Sequence, residues 1–428
     1  MYIMIHKSLF RKTKTGLLLT AAALMIGNLG GCGSSEEATT IQQSSEDDRF
    51  SEYSISTRNK TQQIESLINQ YFYFDQDKDR REERYFDGIL AGLDDPYSVY
   101  YTKEEMERLE EDDSGEYVGI GASVSKNVDT GAIYVVKPLR GSPAEAAGLL
   151  PEDLFVEIDG QELTTDMELE EVVKMIRGSK NTTAKLKMYR EGEKDYLYFD
   201  IPRAVVQNIT VEYELLENGF GYIQVSEFID NTFAQFKEAV DYLEAKGATA
   251  LIIDMRSNPG GFTSQACSMV DYLLKDNSVA EGENTDKPGI LLEMKDKNGK
   301  IIQSDKCQDD HYVDLPMAVL VNENTASSSE IFSGAMQDYK KAKLVGVKTY
   351  GKGIVQQVFG LTDGSGVKLT IASYFLPSGR NIHKDGLEPD VEIDMAIELR
   401  RQLNLPQYTD VQLQKAIEVL GGEALKEP

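Results

Sequence analysis

Two largely apolar runs constrain the fold of this chain more than any other sequence feature. Ala250–Asp254 and Met317–Val321 have the length of strands, and they lack the alternating polar residues that a solvent-facing side would require. Each run leads through a loop into a helical pattern, Ser264–Leu274 in one case and Ser329–Asp338 in the other. The alternation of strands and helices after about Gly219 predicts an α/β domain.

An earlier region, from about Tyr117 to Arg203, has short β-like runs separated by turns. The segment Ser142–Gly148 has the sequence of a capped helical turn, with proline early and glycine at the end. Backbone amides in the loop Gly119-Ile120-Gly121 can hold a peptide carboxylate, while the next strand edge pairs with the extended peptide. The order and spacing of these segments resemble a PDZ domain.

The N-terminus has the order of an export signal. Basic residues precede the apolar run Leu17–Ile26, and Leu29-Gly30-Gly31-Cys32 resembles the lipobox of bacterial lipoproteins. We therefore expect an exported protein, anchored through a lipid at Cys32 to the extracytoplasmic face of the bacterial cell membrane. An ordinary signal peptide or an uncleaved anchor is the alternative.

Apolar residues recur at helical spacing between residues 64 and 72, and again between Tyr85 and Leu93. A helical face of this kind either packs on the main body or forms a homodimer with a second copy. The sequence favours neither interpretation.

Charge and composition exclude some classes of function. The 428 residues carry a formal net charge of −27, which argues against nucleic acid as a partner. Cys267 and Cys307 can form one disulfide, although two unpaired cysteines are the favoured interpretation. With three histidines in the chain, a catalytic histidine is scarce.

Both apolar strands end in loops that suit catalysis. Gly260 and Gly261 follow the first strand and leave backbone amides that can point at a ligand oxygen. Ser327, Ser328 and Ser329 follow the second. Serines at this position are ordinary helix N-caps, and from these residues alone the cap is favoured over a nucleophile.

Lys352 lies between two glycines and precedes a strand, which is unusual for a solvated charge. The run Gly346–Lys352 nearly matches a phosphate-binding loop, but Gly353 occupies the hydroxyl position, so nucleotide binding is rejected. A desolvated lysine can instead accept the proton of a serine nucleophile.

The segments Thr325–Ile331 and Thr349–Gly353 resemble motifs of the carboxyl-terminal processing proteases, also called tail-specific proteases. In this family nucleophile and base lie 25 positions apart, which selects Ser327 for Lys352. The resemblance also implies that Gln356, four positions after the lysine, orients its amine by accepting a hydrogen bond.

Further roles follow from the same resemblance. The oxyanion hole is assigned to the backbone amides of Ser328 and of Gly260 and Gly261. Asp338 lies where some members have an implicated acid, but a surface acid on a helix is the favoured interpretation. Neither a cofactor nor a metal is implied.

The resemblance implies an α+β multidomain chain with an N-terminal helical segment, a PDZ domain and an α/β catalytic core of crotonase/Clp-protease-like fold. The expected activity is that of a serine endopeptidase, in which the PDZ domain captures exposed C-terminal tails of protein or peptide substrates for cleavage by a Ser–Lys dyad. The rival classes are a non-catalytic peptide-binding adaptor and an acidic surface scaffold. The expected segments are a signal peptide (1–31), a tether (32–55), a helical region (56–103), the PDZ domain (104–205), the peptidase core (206–395) and C-terminal helices (396–428).

Overall fold

The computed structural model describes residues 49–127, 130–139, 141–282, 286–308, 311–396, 399 and 405–427. The predicted signal peptide, Cys32 and most of the predicted tether lie outside these residues. Helix α1 begins at Arg49, so the last part of the predicted tether is helical instead.

The described residues from Arg49 to Pro96 belong to a compact unit of their own. Its described part contains helices α1 (Arg49–Tyr71) and α2 (Lys78–Ala91), and Asp77 caps α2 by accepting a hydrogen bond from the Arg80 amide. An ion pair between Glu65 and Arg81 connects the two helices. Apolar side chains at helical spacing on α1 are solvent-exposed, among them Leu67 at 56% exposure.

Within the part of the chain that the structure describes, no helix combines the length and the hydropathy that crossing a membrane needs.

The PDZ region is a small β-module with its own apolar core. In its sheet the strand order is β3-β4-β5-β7-β8, β6 pairs with β5, and β2 pairs separately with β9. Helix α5 packs Val172, Val173 and Ile176 into this core. The elements are β2 (Glu116–Gly119), β3 (Ala122–Lys126), β4 (Ile133–Pro138), α4 (Pro143–Ala146), β5 (Leu154–Ile158), β6 (Gln161–Glu162), α5 (Leu169–Ile176), β7 (Thr183–Tyr189), β8 (Leu197–Pro202) and β9 (Ala204–Gln207).

The α/β core is built on a six-stranded sheet of order β10-β11-β12-β15-β16-β19, parallel except for the β10–β11 pair. Its elements are β10 (Val211–Leu215), β11 (Gly221–Val225), α6 (Thr232–Ala245), β12 (Leu251–Asp254), α7 (Thr263–Leu273), β15 (Met317–Val321), α8 (Ser328–Asp338), β16 (Ala342–Gly346) and β19 (Val391–Glu392). Alternate residues of β12 belong to different clusters, Leu251 and Ile253 to one and Ile252 to the other. Both faces of the strand are therefore buried, which explains its apolar sequence.

A second sheet is antiparallel and has the strand order β1-β18-β13-β14. Strand β17 lies outside this order and pairs with β18. Its strands are β1 (Val99–Tyr101), β13 (Ile290–Lys295), β14 (Ile301–Lys306), β17 (Ile354–Gly360) and β18 (Gly366–Phe375). Strand β1 lies in the segment predicted to be helical, and helix α3 (Lys103–Ser114) follows it. Val99 pairs with Lys368 of β18.

Near the C-terminus, helix α9 (Val411–Val419) follows a 3₁₀ turn at Gln407–Thr409. Asp410 caps α9 and also accepts hydrogen bonds from Arg256, which in turn pairs with Asp254 at the end of β12. This arrangement ties the C-terminal helix to the loop that follows β12.

Candidate active site

Ser327 lies at a sharp bend between β15 and α8. Its φ of 58° and ψ of −121° are unusual for a residue other than glycine, and such strain concentrates at functional sites. The residue is 2% exposed. The loop thus holds this serine in a conformation that a simple helix cap does not require.

The neighbouring serines have structural roles. Ser328 Oγ donates to the carbonyl oxygen of Gly261 at 2.7 Å, and Ser329 Oγ donates to that of Asn258 at 3.0 Å. Both hydroxyls therefore bind the loop after β12. This leaves Ser327 as the candidate nucleophile among the three.

Asn258 shapes the loop after β12. Its side chain is fully buried, donates to the carbonyl of Val225 and accepts from the amide of Gly260, both at 2.9 Å. In this structure the Gly260 amide therefore donates to the Asn258 side chain, and the oxyanion role predicted for Gly260 stays a prediction. The Asn258 side chain closes a local turn and takes that donor.

Close packing explains why glycines occupy this loop. A Cβ atom on Gly260 would lie 2.6 Å from the Cβ of Ser327 and 2.9 Å from the amide nitrogen of Ser328. Because Ser328 is the first residue of α8, helix geometry gives its amide no intrahelical acceptor. The oxyanion roles of Gly261 and Ser328 stay predictions.

Lys352 is 1% exposed and lies on a loop packed tightly against residues 382–386. The amide of Lys384 donates to the carbonyl of Gly351 at 2.7 Å, and a Cβ atom on Gly353 would lie 2.5 Å from the amide nitrogen of His383. The flanking glycines thus permit a close backbone approach. The Nζ atom lies over the ring of Tyr97, 4.7 Å from its centroid.

Glu330, in the first turn of α8, connects the serine loop with the lysine loop. Its buried carboxylate accepts from the amides of Ser327 at 2.9 Å, Lys352 at 2.8 Å and Gly351 at 2.8 Å, and from the hydroxyl of Thr349 at 2.5 Å. Burial raises the pKa of Glu330, and the four donated hydrogen bonds oppose this rise.

Sequence reasoning gave Glu330 no role. Its position three residues after the N-cap serine is the sequence signature of a capping box, and this signal was available. The pattern does not reveal that the same carboxylate reaches a loop more than 20 residues away.

Gln356 lies fully buried on β17, next to a bulge. Its Nε2 atom donates to the hydroxyl of Thr370 at 3.3 Å, while its Oε1 atom has no hydrogen-bond partner among the described residues. The predicted hydrogen bond from Lys352 to this oxygen is therefore not formed in this structure, in which the amine faces Tyr97.

Asp338 is not the surface acid that was favoured from sequence. It is 8% exposed, accepts from the amide of Ser378 at 2.9 Å and pairs with Arg380 at 2.8 Å. Burial raises its pKa, and Arg380 opposes the rise. Asp338 thus anchors the turn after β18.

In the PDZ region, Gly119 ends β2, and Ile120 and Gly121 connect it to β3. The carbonyls of Ile120 and Gly121 accept from the amides of Ala144 and Leu139 at 2.8 and 2.9 Å. These bonds hold the loop against the segment that carries α4. Capture of a carboxylate by the loop amides stays a prediction.

Two further groups of side chains lie outside these loops. Cys267 and Cys307 are unpaired, as the favoured interpretation had it. Asp241, Glu244 and His311 place their ligand atoms within 4.8 Å of one another, a composition that can hold a divalent metal. Lys237, however, already pairs with Asp241 at 2.8 Å.

Comparison with known proteins gives two family matches. The model of peptidase family S41 matches residues 219–393, and the model of a PDZ domain matches residues 134–190. These ranges coincide with the α/β core and with the greater part of the PDZ module.

Two curated staphylococcal proteins, each named "Probable CtpA-like serine protease", are similar along most of the chain. The one from Staphylococcus haemolyticus is 35% identical over 344 residues, which cover 79% of this chain and 66% of that protein. The one from Staphylococcus aureus is 36% identical over 339 residues, which cover 79% and 65%. The chain thus spans just under two thirds of the length of these relatives.

Solved structures are similar as well. An S41 protease from Bacteroides fragilis shares the fold with a TM-score of 0.51 at 17% identity, covering 84% of this chain and 96% of that chain. The photosystem II D1 C-terminal processing protease matches with a TM-score of 0.44 at 26% identity, covering 78% and 86%.

The fold and the two family matches define a PDZ-containing member of peptidase family S41. Within that class, the chain belongs to the carboxyl-terminal processing protease family. The family resemblance and the fold class predicted from sequence are both confirmed.

Proposed function

We propose that this protein is a serine endopeptidase of the C-terminal processing type, with Ser327 as nucleophile and Lys352 as general base. The observation that carries the proposal is the Glu330 carboxylate, which binds the backbone amides of both residues and so holds their two loops together. Family membership supports the same activity.

The reaction proceeds in two halves. Ser327 Oγ attacks the scissile carbonyl while the neutral Lys352 amine accepts its proton, and the ammonium then returns that proton to the leaving amine. Removal of a lysine amine from water favours the neutral form that this step needs. Water hydrolyses the acyl-enzyme by the reverse proton route.

Backbone amides stabilise the oxyanion in this mechanism. Ser328 contributes from the first turn of α8, where the helix dipole favours negative charge, and Gly261 contributes from the facing loop. Gln356, whose buried Oε1 atom has no hydrogen-bond partner within the described part of the chain, orients the amine once Lys352 turns toward Ser327.

Substrate selection is proposed for the PDZ module. Strand β3 lies at the edge of its sheet and directly follows the loop Gly119–Gly121. An extended C-terminal tail can add to this edge while loop amides bind its carboxylate. Tail binding that repositions the PDZ module would gate activity, and a PDZ deletion that hydrolyses a tail peptide at an unchanged rate would exclude such gating.

The decisive test compares wild type with Ser327→Ala and Lys352→Ala on a protein that ends in an unstructured apolar tail. We expect hydrolysis by wild type and background rates for both variants, with labelling of Ser327 by a fluorophosphonate. Equal cleavage by the variants would refute the dyad. Binding without cleavage by wild type would support the adaptor instead.

Anchoring and assembly are separate proposals. Lipidation of Cys32 would hold the exported protein at the extracytoplasmic membrane face, and Cys32→Ser should release it into the soluble fraction. The exposed apolar face of α1 suits pairing with a second copy, so Leu67→Glu should convert a dimer to a monomer in sedimentation experiments.

A further inference from the structure

The Lys352 amine contacts an aromatic side chain that sequence reasoning did not connect with it. Its Nζ atom lies 4.7 Å from the centroid of the Tyr97 ring, within cation–π range. Tyr97 Oη lies 3.3 Å from Tyr350 Oη, and Tyr350 is only two residues before the lysine. The side chain of Lys352 is nearly inaccessible to solvent.

The sheet holds Tyr97 in this place. Val99, two residues later, pairs with Lys368 in the β1–β18 ladder, and the amide of Thr370 donates to Ser98 Oγ at 3.2 Å. Tyr97 itself lies in a turn, and the two residues after it fix the end of that turn to the sheet.

A second buried lysine lies against Tyr101 of β1, and this pair serves as an internal control. Lys368 is 6% exposed, and its Nζ atom lies 5.3 Å from the centroid of the Tyr101 ring. Burial lowers the pKa of Lys368, and Asp113 opposes this effect. Tyr101 lies within β1, whereas Tyr97 lies in the turn two residues before the strand.

An aromatic cover acts on a lysine in two opposite ways. Exclusion of water disfavours the ammonium form, whereas the negative face of the ring stabilises it. The balance decides at what pH the amine is neutral and able to accept a proton.

We propose that Tyr97 is the positioning residue of Lys352, and that its ring keeps the amine out of water and against its face, thereby setting the pH at which the lysine becomes a base. The inference rests on the proposed function, because it assigns Tyr97 a role through the general base.

Other polar groups face the lysine loop through contacts that do not involve the Tyr97 side chain. Glu330 accepts from the Lys352 amide, Tyr374 Oη donates to the Ser327 carbonyl, and the backbone of His383 packs on Gly353. A shift in the titration of the amine on mutation of Tyr97 therefore reports on the ring.

The experiment measures the pKa of the Lys352 amine directly, by NMR of ¹³C-labelled lysine in a Ser327→Ala background, with Lys352→Met for assignment. Tyr97→Phe keeps the ring and should leave the pKa unchanged. Tyr97→Leu keeps the cover without the ring and should lower the pKa by about half a unit to one unit. Tyr97→Ala admits water and should raise it toward ~10.4.

With Ser327 intact, the acid limb of the pH profile of kcat/KM should move in the same directions. Tyr101→Leu is the matched control and should leave the Lys352 titration unchanged. Asp95→Asn, two residues before Tyr97 in the sequence, tests whether a nearby carboxylate causes the effect instead. Thermal unfolding checks that each variant folds. If Tyr97→Ala does not fold, the pKa of Lys352 in Tyr97→Leu tests the role of Tyr97.

The two possible failures are distinguishable. Identical Lys352 titrations in wild type, Tyr97→Leu and Tyr97→Ala would overturn the role of Tyr97, whether or not the protein hydrolyses peptides. The opposite failure is a wild type that fluorophosphonate does not label, combined with a Lys352 pKa that still changes in the Tyr97 variants. This result would refute the proposed peptidase activity and retain Tyr97 as the residue that controls the pKa of the Lys352 amine.

Discussion

The two strand–loop–helix junctions, β12 to α7 and β15 to α8, begin alike and are organised differently. Both leave a fully buried strand of the same sheet. In the first, Asn258 donates to Val225 and accepts from Gly260. In the second, Glu330 only accepts, and it collects donors from two separate loops.

The difference follows from the hydrogen-bonding groups of the two side chains. A carboxamide matches one acceptor and one donor, which is sufficient to shape a local turn. A carboxylate offers several lone pairs and charge-assisted hydrogen bonds, so it can hold two loops in register. The first junction is a local turn, and the second connects two separate loops.

The largest expected effect comes from Glu330→Gln. The carboxamide turns an NH₂ group toward backbone amides that need acceptors, so the Ser327 and Lys352 loops should separate. We expect the rate of peptide hydrolysis to fall by about 100-fold or more, because small misplacements of catalytic groups are costly.

The control for this variant is Glu323→Gln, at an exposed acid in the same loop, which should retain activity. Full activity of Glu330→Gln in kcat/KM assays would show that the carboxylate does not align the two loops.

Gly261→Ala and Gly346→Ala form a pair of next-largest effect. A Cβ atom on Gly261 would lie 1.9 Å from the carbonyl oxygen of Phe228, and one on Gly346 would lie 1.9 Å from that of Val321. Both glycines have positive φ, so both variants should lose stability, by about 1–3 kcal/mol or more in thermal unfolding.

Only Gly261→Ala should also reduce hydrolysis strongly, by about 10- to 100-fold at temperatures where both variants are folded. An equal loss of activity in the two variants would argue against an oxyanion role for the loop after β12.

Asn258→Asp tests the first junction. The introduced carboxylate keeps the acceptor for Gly260 but faces the Val225 carbonyl without a proton to donate, which should cost about 1–3 kcal/mol at pH 8. Burial should raise the pKa of that carboxyl above its unfolded value, so the folded state binds more protons and stability should recover as pH falls. Denaturant unfolding at pH 5 and pH 8 measures this, and equal stability losses at both would contradict it.

The smallest effects are expected from Ser328→Ala and Ser329→Ala. Each variant removes one hydroxyl hydrogen bond to the facing loop, worth about 1 kcal/mol. Hydrolysis should change by a few-fold at most, whereas Ser327→Ala should abolish it. Loss of activity in Ser329→Ala alone would move the nucleophile assignment to that residue.

Much of the fold was predictable from local pattern. The bounds predicted for Met317–Val321 agree with the structure, and the strand predicted at Ala250–Asp254 begins one residue later, because buried strands are continuous apolar runs between turns. Strand β1 was missed, because its three residues are recognisable as a strand only by their pairing with β18.

The candidate site, too, has features that the sequence predicted and features that it did not. Ser327 and Lys352 were selected by motif spacing, and both lie on loops that share Glu330. The burial of Asp338 was not predictable, because a polar residue on a helix shows no sign of the turn that covers it.

The sequence by itself determined which segments form buried strands, which residues have the chemistry of a nucleophile and a base, and the family to which the chain belongs. These properties depend on residue type and short spacing. Tertiary structure decided that Glu330 joins the two loops, that the Gly260 amide is occupied, and that Tyr97 covers Lys352. Such contacts join residues far apart in the chain, and their geometry exists only once the sheets have paired.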